Sequence, residues 1–540
     1  MSRPAVSENL IDRLVRYVDP VAARRRQQAR VHLALSESYV GASTTRRAMK
    51  NFNPGSGDAD ADTLRDLPTL SARSRDLVRN APIATGAINT VVTNAVGTGL
   101  ALHARPDRAV LGLTDEEAEA WESDAEREFR LWSESTECDV SGQSNLRQLM
   151  SLAFRSTLEN GDALALLPRI RTRNFPYSLK VQLIEADRLS TPTTRTETDR
   201  LVSGIEKDEN GRAVRYHISK FHPGAVRRPF SRAATDWTAV EAVSASGLRN
   251  VLHLMDRRRI GQTCGTPYLA PVIEPLKQLD RYSEAEIMAA VVSGLFTVFV
   301  QNEAGSADLL NLETGGTTDT AADQVAADEI KLGSGAVVGL APGESINTAN
   351  PGRPNAAFDP FVQAILRQVG VALEIPFEIL IKHFTSSYSA ARAALLEAWR
   401  FFSGRRAWLV DSFCQPVYEA FLYEAVALGR LPAPGFFQDP LIRMAWCGSE
   451  WTGPARGMID ETKEVDAARM RVELGISTLA EETSAITGGD WEAKHRQRAK
   501  EARMRREAGL EPSLSTSPKP AVEGESTPPT DPFEENEETP

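Results

Sequence analysis

The spacing of apolar positions along the 540 residues changes period several times, and each change marks an element. Between Asp62 and Val96, Leu77, Ile83, Ile88, Val91 and Val92 recur at helical spacing, broken at Pro82. This predicts two core-packed helices stopped by Gly97 and Gly99. Residues 114–132 predict a capped amphipathic helix. Thr114 precedes Asp115, Glu116 and Glu117 as cap and first turn, with Trp121, Phe129 and Trp132 on or near the buried side. Between Asp162 and Met255 the period falls to two, as at Leu179, Val181 and Leu183 and at Val214, Tyr216 and Ile218, so a mostly β module is expected. Asn210-Gly211 supplies a hairpin turn there, because both residues tolerate positive φ.

From Pro267 the helical spacing returns at Leu269, Val272, Ile273, Leu276 and Leu279 and runs toward Leu295. A rod of roughly 25 residues would be about 38 Å long. Residues 297–357 are rich in Gly, Asn and Pro, with short strands expected around Val298–Val300 and Ala336–Leu340. A second rod is predicted over Phe358–Glu374, with Phe361, Ile365, Leu366, Val369 and Leu373 on one side and Pro376 ending it. A polar break, Lys382 to Ser387, precedes a long helix from Tyr388 to about Leu428, with Ser403-Gly404 and Pro416 as bend sites. Beyond Trp451 the helices shorten, capped at Thr478–Glu481 and Asp490, and end in the basic helix Trp491–Glu507. Strands and helices thus occupy separate stretches, an α+β chain.

Composition bounds this picture. With 25% charged and 41% hydrophobic residues the chain reads as soluble and globular, and too long for one core. Sixty-two Lys+Arg against 73 Asp+Glu give −11, so any DNA contact must be local. The charge is uneven. Residues 1–50 hold ten Lys/Arg against four acids, and residues 511–540 hold seven prolines and eight acids against Lys519 alone. That tail cannot bury enough apolar surface to offset chain entropy and is expected to be disordered. The longest apolar stretch, Ala289–Val300, is far shorter than a membrane-spanning helix, and no secretion signal is apparent. Cys138, Cys264, Cys414 and Cys447 are too scattered for a disulfide framework or a zinc site, which fits a reducing compartment.

Candidate chemistry fails at each motif. No phosphate-binding G-x-x-x-x-G-K-[ST] occurs, and Gly97-Thr98-Gly99 meets Leu102 where a third glycine would stand. Asp58, Asp60 and Asp62 copy half a calcium loop, but Thr63 and Thr69 replace its turn glycine and bidentate Glu. His217 and His222 lack a third ligand, Glu284 and Glu286 point to different sides of a helix, and His383 has no nucleophile partner. No enzyme, metal or cofactor is expected.

One set of runs carries a family resemblance. Gly261-Gln262-Thr263-Cys264-Gly265-Thr266-Pro267-Tyr268-Leu269-Ala270-Pro271, followed by Leu279-Asp280-Arg281-Tyr282 and Ala285-Glu286, resembles the start of the stem in lambda-type portal proteins of tailed bacteriophages. Asn80-Ala81-Pro82 with Gly97-Thr98-Gly99-Leu100 is similar to that family's amino-terminal helical region. Glu185-Ala186-Asp187-Arg188-Leu189, Tyr216-His217-Ile218 and His222-Pro223-Gly224 resemble its β wing. Ser387-Tyr388-Ser389-Ala390-Ala391-Arg392 through Glu397 is similar to the start of its long wing helix, and Ile459-Asp460 with Lys463-Glu464 to its carboxyl-terminal region. The runs cover roughly 70–508 in the family's order. Cys264 stands where Arg is expected, and Glu461-Thr462 replaces a more usual Pro.

The resemblance implies a portal fold, with a basic arm at 1–60, a wing at 61–262, a first stem helix at 263–296 and a clip at 297–357. A second stem helix at 358–376, a channel loop at 377–388, the long kinked wing helix with the wing remainder at 389–450, a helical crown at 451–510 and the acidic tail at 511–540 complete it. It further implies a homo-oligomeric ring, usually a dodecamer, at one capsid vertex of the virion, assembled in the host cytoplasm and passing double-stranded DNA without reading its sequence. The large terminase subunit, major capsid protein, scaffold and head-completion adaptor proteins would be its partners, with no membrane involved. Lys382, His383, Ser386 and Ser387 are the expected channel-loop residues, and Arg496, Lys500 and Arg503 the basic face of the crown. Leu395, Leu396, Trp399, Phe402, Trp408 and Leu409 exceed what one small wing hides, so they pack either between subunits or in a private core. A ring-forming adaptor or scaffold without a DNA channel is the rival reading.

Overall fold

The computed structural model describes residues 15–35, 39–43, 46–225, 236–294, 298–302, 344–348, 357–384, 387–457 and 460–510. After α1 (Pro20–Leu35), the short α2 (Ala59–Thr63) starts on Asp58, whose carboxylate accepts the Ala61 amide at 2.7 Å. Helices α3 (Leu67–Asn80) and α4 (Pro82–Ala95) meet at Ala81. Pro82 opens α4, where its missing N–H leaves no bond unmade, so the break falls where the pattern predicts. Ala84, Ala87, Ile88, Val91 and Ala95 bury α4 at the centre of the molecule.

Strand β1 (Ala101–Ala104) and α5 (Arg108–Leu111) lead into α6 (Asp115–Glu134). Thr114 caps α6 as predicted: its hydroxyl accepts the Glu117 amide at 3.3 Å while Glu117 accepts the Thr114 amide at 3.0 Å. Helix α7 (Leu146–Asn160), not among the elements expected from the apolar spacing, begins on a similar box between Asn145 and Gln148.

The β module is two small antiparallel sheets. One has the order β3-β2-β8, from β2 (Asp162–Leu166), β3 (Gln182–Glu185) and β8 (Val251–Met255). The other is a meander of β4 (Leu201–Val202), β5 (Ile205–Lys207), β6 (Ala213–Ser219) and β7 (Trp237–Glu241). Asn210-Gly211 does lie in the β5–β6 turn, within a loop over 208–212. Leu179 and Val181, expected in a strand, are fully buried but make only isolated bridges, to Arg169 and Asp139.

A single 3-10 turn, Ala270–Val272, opens the first rod, α8 (Ile273–Gly294). Strand β9 (Val298–Asn302) pairs antiparallel with β10 (Glu344–Thr348). The strand expected at 336–340 lies outside the described residues. Then come the second rod, α9 (Phe358–Ala372), and the short α10 (Phe377–Ile381). The long helix is α11 (Tyr388–Leu409), a π-helical turn at Val410–Cys414, and α12 (Gln415–Ala427). Ser403-Gly404 does not interrupt it. The ladder widens just before Pro416, which cannot donate to it.

After α13 (Pro440–Trp446), β11 (Ser449–Thr452) pairs antiparallel with β1 and ties the carboxyl-terminal part to the amino-terminal helices. Helices α14 (Glu461–Glu473), α15 (Leu479–Thr487) and α16 (Trp491–Glu507) follow, with Thr478 and Asp490 as caps, as predicted.

The core is an aromatic cluster between α6 and α12. Phe129 meets Tyr418 and Phe421 edge-on at 5.5 and 5.2 Å, and Trp132 and Tyr177 stand 5.4 and 4.9 Å from Phe421. Each such ring contributes on the order of 1.5–3 kcal/mol by burial. Two charges lock the parts together. Glu424, buried in α12, accepts the amides of Ser178 and Leu179 at 2.6 and 2.8 Å. Arg406 donates to the carbonyls of Asn94, Ala95 and Pro454 at 3.1, 3.0 and 2.8 Å, satisfying the carboxyl-terminal end of α4. The four cysteines are free and buried, and burial pushes the Cys138 and Cys447 thiols up to about 12.

Candidate channel segment and its supports

The first rod leaves the body from a knot of backbone contacts. Gly161 has φ +94°, and a Cβ there would stand 2.6 Å from the Gly265 carbonyl; a Cβ on Gly265 would strike the Gly161 carbonyl in turn. Only paired glycines let the two backbones approach this closely. The Gly265 amide donates to Asp162 at 2.6 Å, and the Thr263 amide to Asp60 at 2.8 Å, while Lys207 bonds the Thr263 hydroxyl. Asp58, Asp60 and Asp62, the half-copy of a calcium loop, are thus divided among a helix cap, Thr263 and Arg259. Cys264, where the family resemblance leads one to expect Arg, is 5% exposed inside this knot.

The rods lie side by side and antiparallel. Tyr282, halfway along α8, meets Phe358 and Phe361 at the start of α9 with ring centroids 5.4 and 5.2 Å apart. At the other end, the buried Tyr268 hydroxyl donates to the Leu373 carbonyl just past α9. Phe361 is nevertheless 52% exposed, so it is not on the buried side with Leu366, Val369 and Leu373 as predicted. Only the flank of its ring is covered by Tyr282.

Past α9 the chain turns sharply. The Ile375 amide returns to the Gly370 carbonyl at 2.9 Å, an approach the missing Cβ of Gly370 permits. Glu374 and Lys382, both at positive φ, bracket α10, which buries Ile379 and Leu380. The Lys382 and His383 amides both close onto the Glu378 carbonyl, so the polar break begins in a defined turn. Lys382, His383 and Ser387 all lie exposed on this segment; Ser386 is outside the described residues. Phe384, not singled out in the sequence, is 53% exposed beside them. Its signal was available: an aromatic residue in an otherwise polar break.

A cavity of about 280 Å³ opens behind the segment, walled by Lys382 and Phe384, by Asn89 and Thr93 of α4, and by Leu396 and Trp399 of α11. Phe402 and Leu409 belong to the private core, whereas Leu396 stays 44% exposed. Arg496, Lys500 and Arg503 stand together along one exposed side of α16. His217 bonds Glu206 at 3.0 Å while His222 lies near Asp187 at 3.6 Å, so the two are engaged separately. Among the described residues no helix is long and apolar enough to cross a membrane.

The profile described as "Phage portal protein, lambda family" matches residues 45–406. Portal protein B of Escherichia phage lambda is 26% identical over 481 residues, covering 86% of this chain and 89% of its own. The portal protein of Escherichia phage N15 is 27% identical over 483 residues, with the same coverage. Among solved structures, a chain from the virion of a native gene transfer agent particle aligns with TM-score 0.42 at 10% identity, covering 78% of this chain and 92% of that one. With a family profile spanning most of its length and relatives matched over 86% of it, this chain belongs to the lambda family of phage portal proteins.

Proposed function

We propose that this protein assembles into a ring at one vertex of a phage-type capsid and forms the channel through which double-stranded DNA is packaged and ejected. The single observation that carries this reading is the antiparallel pair of rods, pinned by Tyr282 halfway along the first and by Tyr268 at its base, with the paired strands β9 and β10 lying between them in the chain. Such a hairpin repeated about an axis makes a wall, and closing the ring requires one face of a subunit to meet a different face of the next. The rods are then the stem, residues 297–357 the clip, and 377–388 the channel loop, with the polar break 382–387 inside it.

In this ring Lys382 recurs once per subunit as a belt of positive charge, with His383, Ser386 and Ser387 beside it. Contact of this kind touches phosphates without reading bases. It must also stay weak, since each neutralised phosphate strengthens salt-sensitive attachment and would stall sliding. The chain acts as an assembly component, not a catalyst. Packaging force comes from a separate terminase docking on the clip, which later receives head-completion proteins, while the wing meets capsid and scaffold.

Negative-stain images of the purified protein at several salt concentrations test this. Rings with an axial opening are expected. Persistent monomers would sink the proposal, and rings closed at the axis would favour an adaptor without a channel.

A further inference from the structure

Helix α16 carries cations on two opposite sides. Arg496, Lys500 and Arg503 stand at i, i+4 and i+7 and form one stripe; Lys494, Arg498 and Arg505, at i, i+4 and i+11, form the other. Trp491 is half-buried and the Lys494 ammonium donates to Thr487, which marks the second side as the one turned toward α15. The stripe of Arg496, Lys500 and Arg503 lies on the opposite side, exposed and bounded by Glu492 and Glu507 at its two ends. No residue of α16 is buried. Arg496 has a carboxylate partner, Glu492 at 3.6 Å, but among the described residues none is within salt-bridge distance of Lys500 or Arg503. Repeated around a ring, such a helix builds a belt whose cations repel one another unless a counter-charge is supplied.

The chain itself holds one. Residues 511–540 carry eight acids against Lys519 and continue directly from the end of this helix. Fully extended, 30 residues span at most about 100 Å, and a 17-residue helix is about 26 Å long. The tail is thus long enough to reach any point of the stripe while tethered to its end.

We propose that residues 511–540 occupy this exposed stripe of α16, on their own or a neighbouring subunit, and compete with double-stranded DNA for it. The inference rests on the ring reading above, with the crown set, as the family resemblance implies, toward the packaged DNA. Exchanging one polyanion for another leaves no cation unpaired, so DNA can move past the belt without being anchored to it.

The test compares rings of the full chain with rings in which Glu511→Gln, Asp531→Asn and the six other tail acids are likewise changed to amides. A third sample ends at Leu510. Binding of a short DNA duplex is followed by fluorescence anisotropy across a salt series. Both altered tails should bind DNA about tenfold or more tightly at low salt, with the gap closing as salt rises. Adding Arg496→Gln, Lys500→Gln and Arg503→Gln should abolish the gap. Equal affinity in all three samples overturns the inference, as does a gap that survives loss of the stripe, which would place the tail on another basic surface such as residues 1–50. Ring formation, scored by electron microscopy on the same samples, reports separately on the ring reading.

Discussion

Tyr418 sits in the middle of the aromatic cluster with no exposed surface, and no described protein group is within hydrogen-bonding reach of its hydroxyl. A buried, unpaired hydroxyl costs more in lost hydration than it returns. Tyr418→Phe should therefore stabilise the protein by about 1 kcal/mol, read as a rise in melting temperature; a fall would mean the hydroxyl has a partner. Glu128 is the opposite case. Two bonds from Arg430, at 2.7 and 2.8 Å, hold its carboxyl below the usual 4.5, aided by the Tyr177 hydroxyl and opposed by burial. The unfolded chain then takes up the proton first as pH falls. The stabilisation is complete above about 4.5 and is lost as pH drops through the folded value. The melting-temperature gap between wild type and Glu128→Gln should shrink on acidification below that point, and a gap independent of pH would refute the assignment.

At the scale of elements, the rods are held at two points of different strength. The Tyr268 end lies in the core, whereas the Tyr282 end is a contact between three rings on the surface of two helices. Aromatic pairs of this kind contribute about 0.5–1.5 kcal/mol each beyond burial. Tyr282→Ala should raise amide exchange in the first turns of α9 while leaving α4 and α12 protected. Unchanged exchange there would show that the rods are joined by something other than this contact. Most of these elements were legible in the chain. Thr114, Thr478 and Asp490 announce helices because a cap needs a side chain that accepts from the first turn, and that requirement is local. The strand assignment at Leu179 and Val181 went further than the ladder does, because burial on both sides yields the same apolar spacing whether or not backbones pair.

For the whole molecule, the decisive feature is where Lys382 comes to lie once the rods and α10 have formed. Lys382→Glu should leave rings intact, since the side chain is exposed, and should lower DNA packaging in a reconstituted system several-fold by placing negative charge beside phosphate. Undiminished packaging would remove Lys382 from the channel. The cavity behind it joins α4, α11 and the polar segment, with Asn89 and Trp399 more than three hundred positions apart in the chain. No periodicity announces such a meeting.

The chain alone determined its period changes, caps, breaks at proline and the order of its runs, because each depends on residues within a few turns of one another. It also determined the uneven charge, which needs no fold to exist. Tertiary structure decided the rest. It set the glycine pair 161 and 265 face to face, buried Cys264 in the knot between them, took Phe361 out of the core, and, of the two bend sites in the long helix, left Ser403-Gly404 helical and widened only the turn before Pro416. Each of those outcomes depends on which backbone or ring arrives from a distant part of the chain, and a side chain's own chemistry carries no record of that.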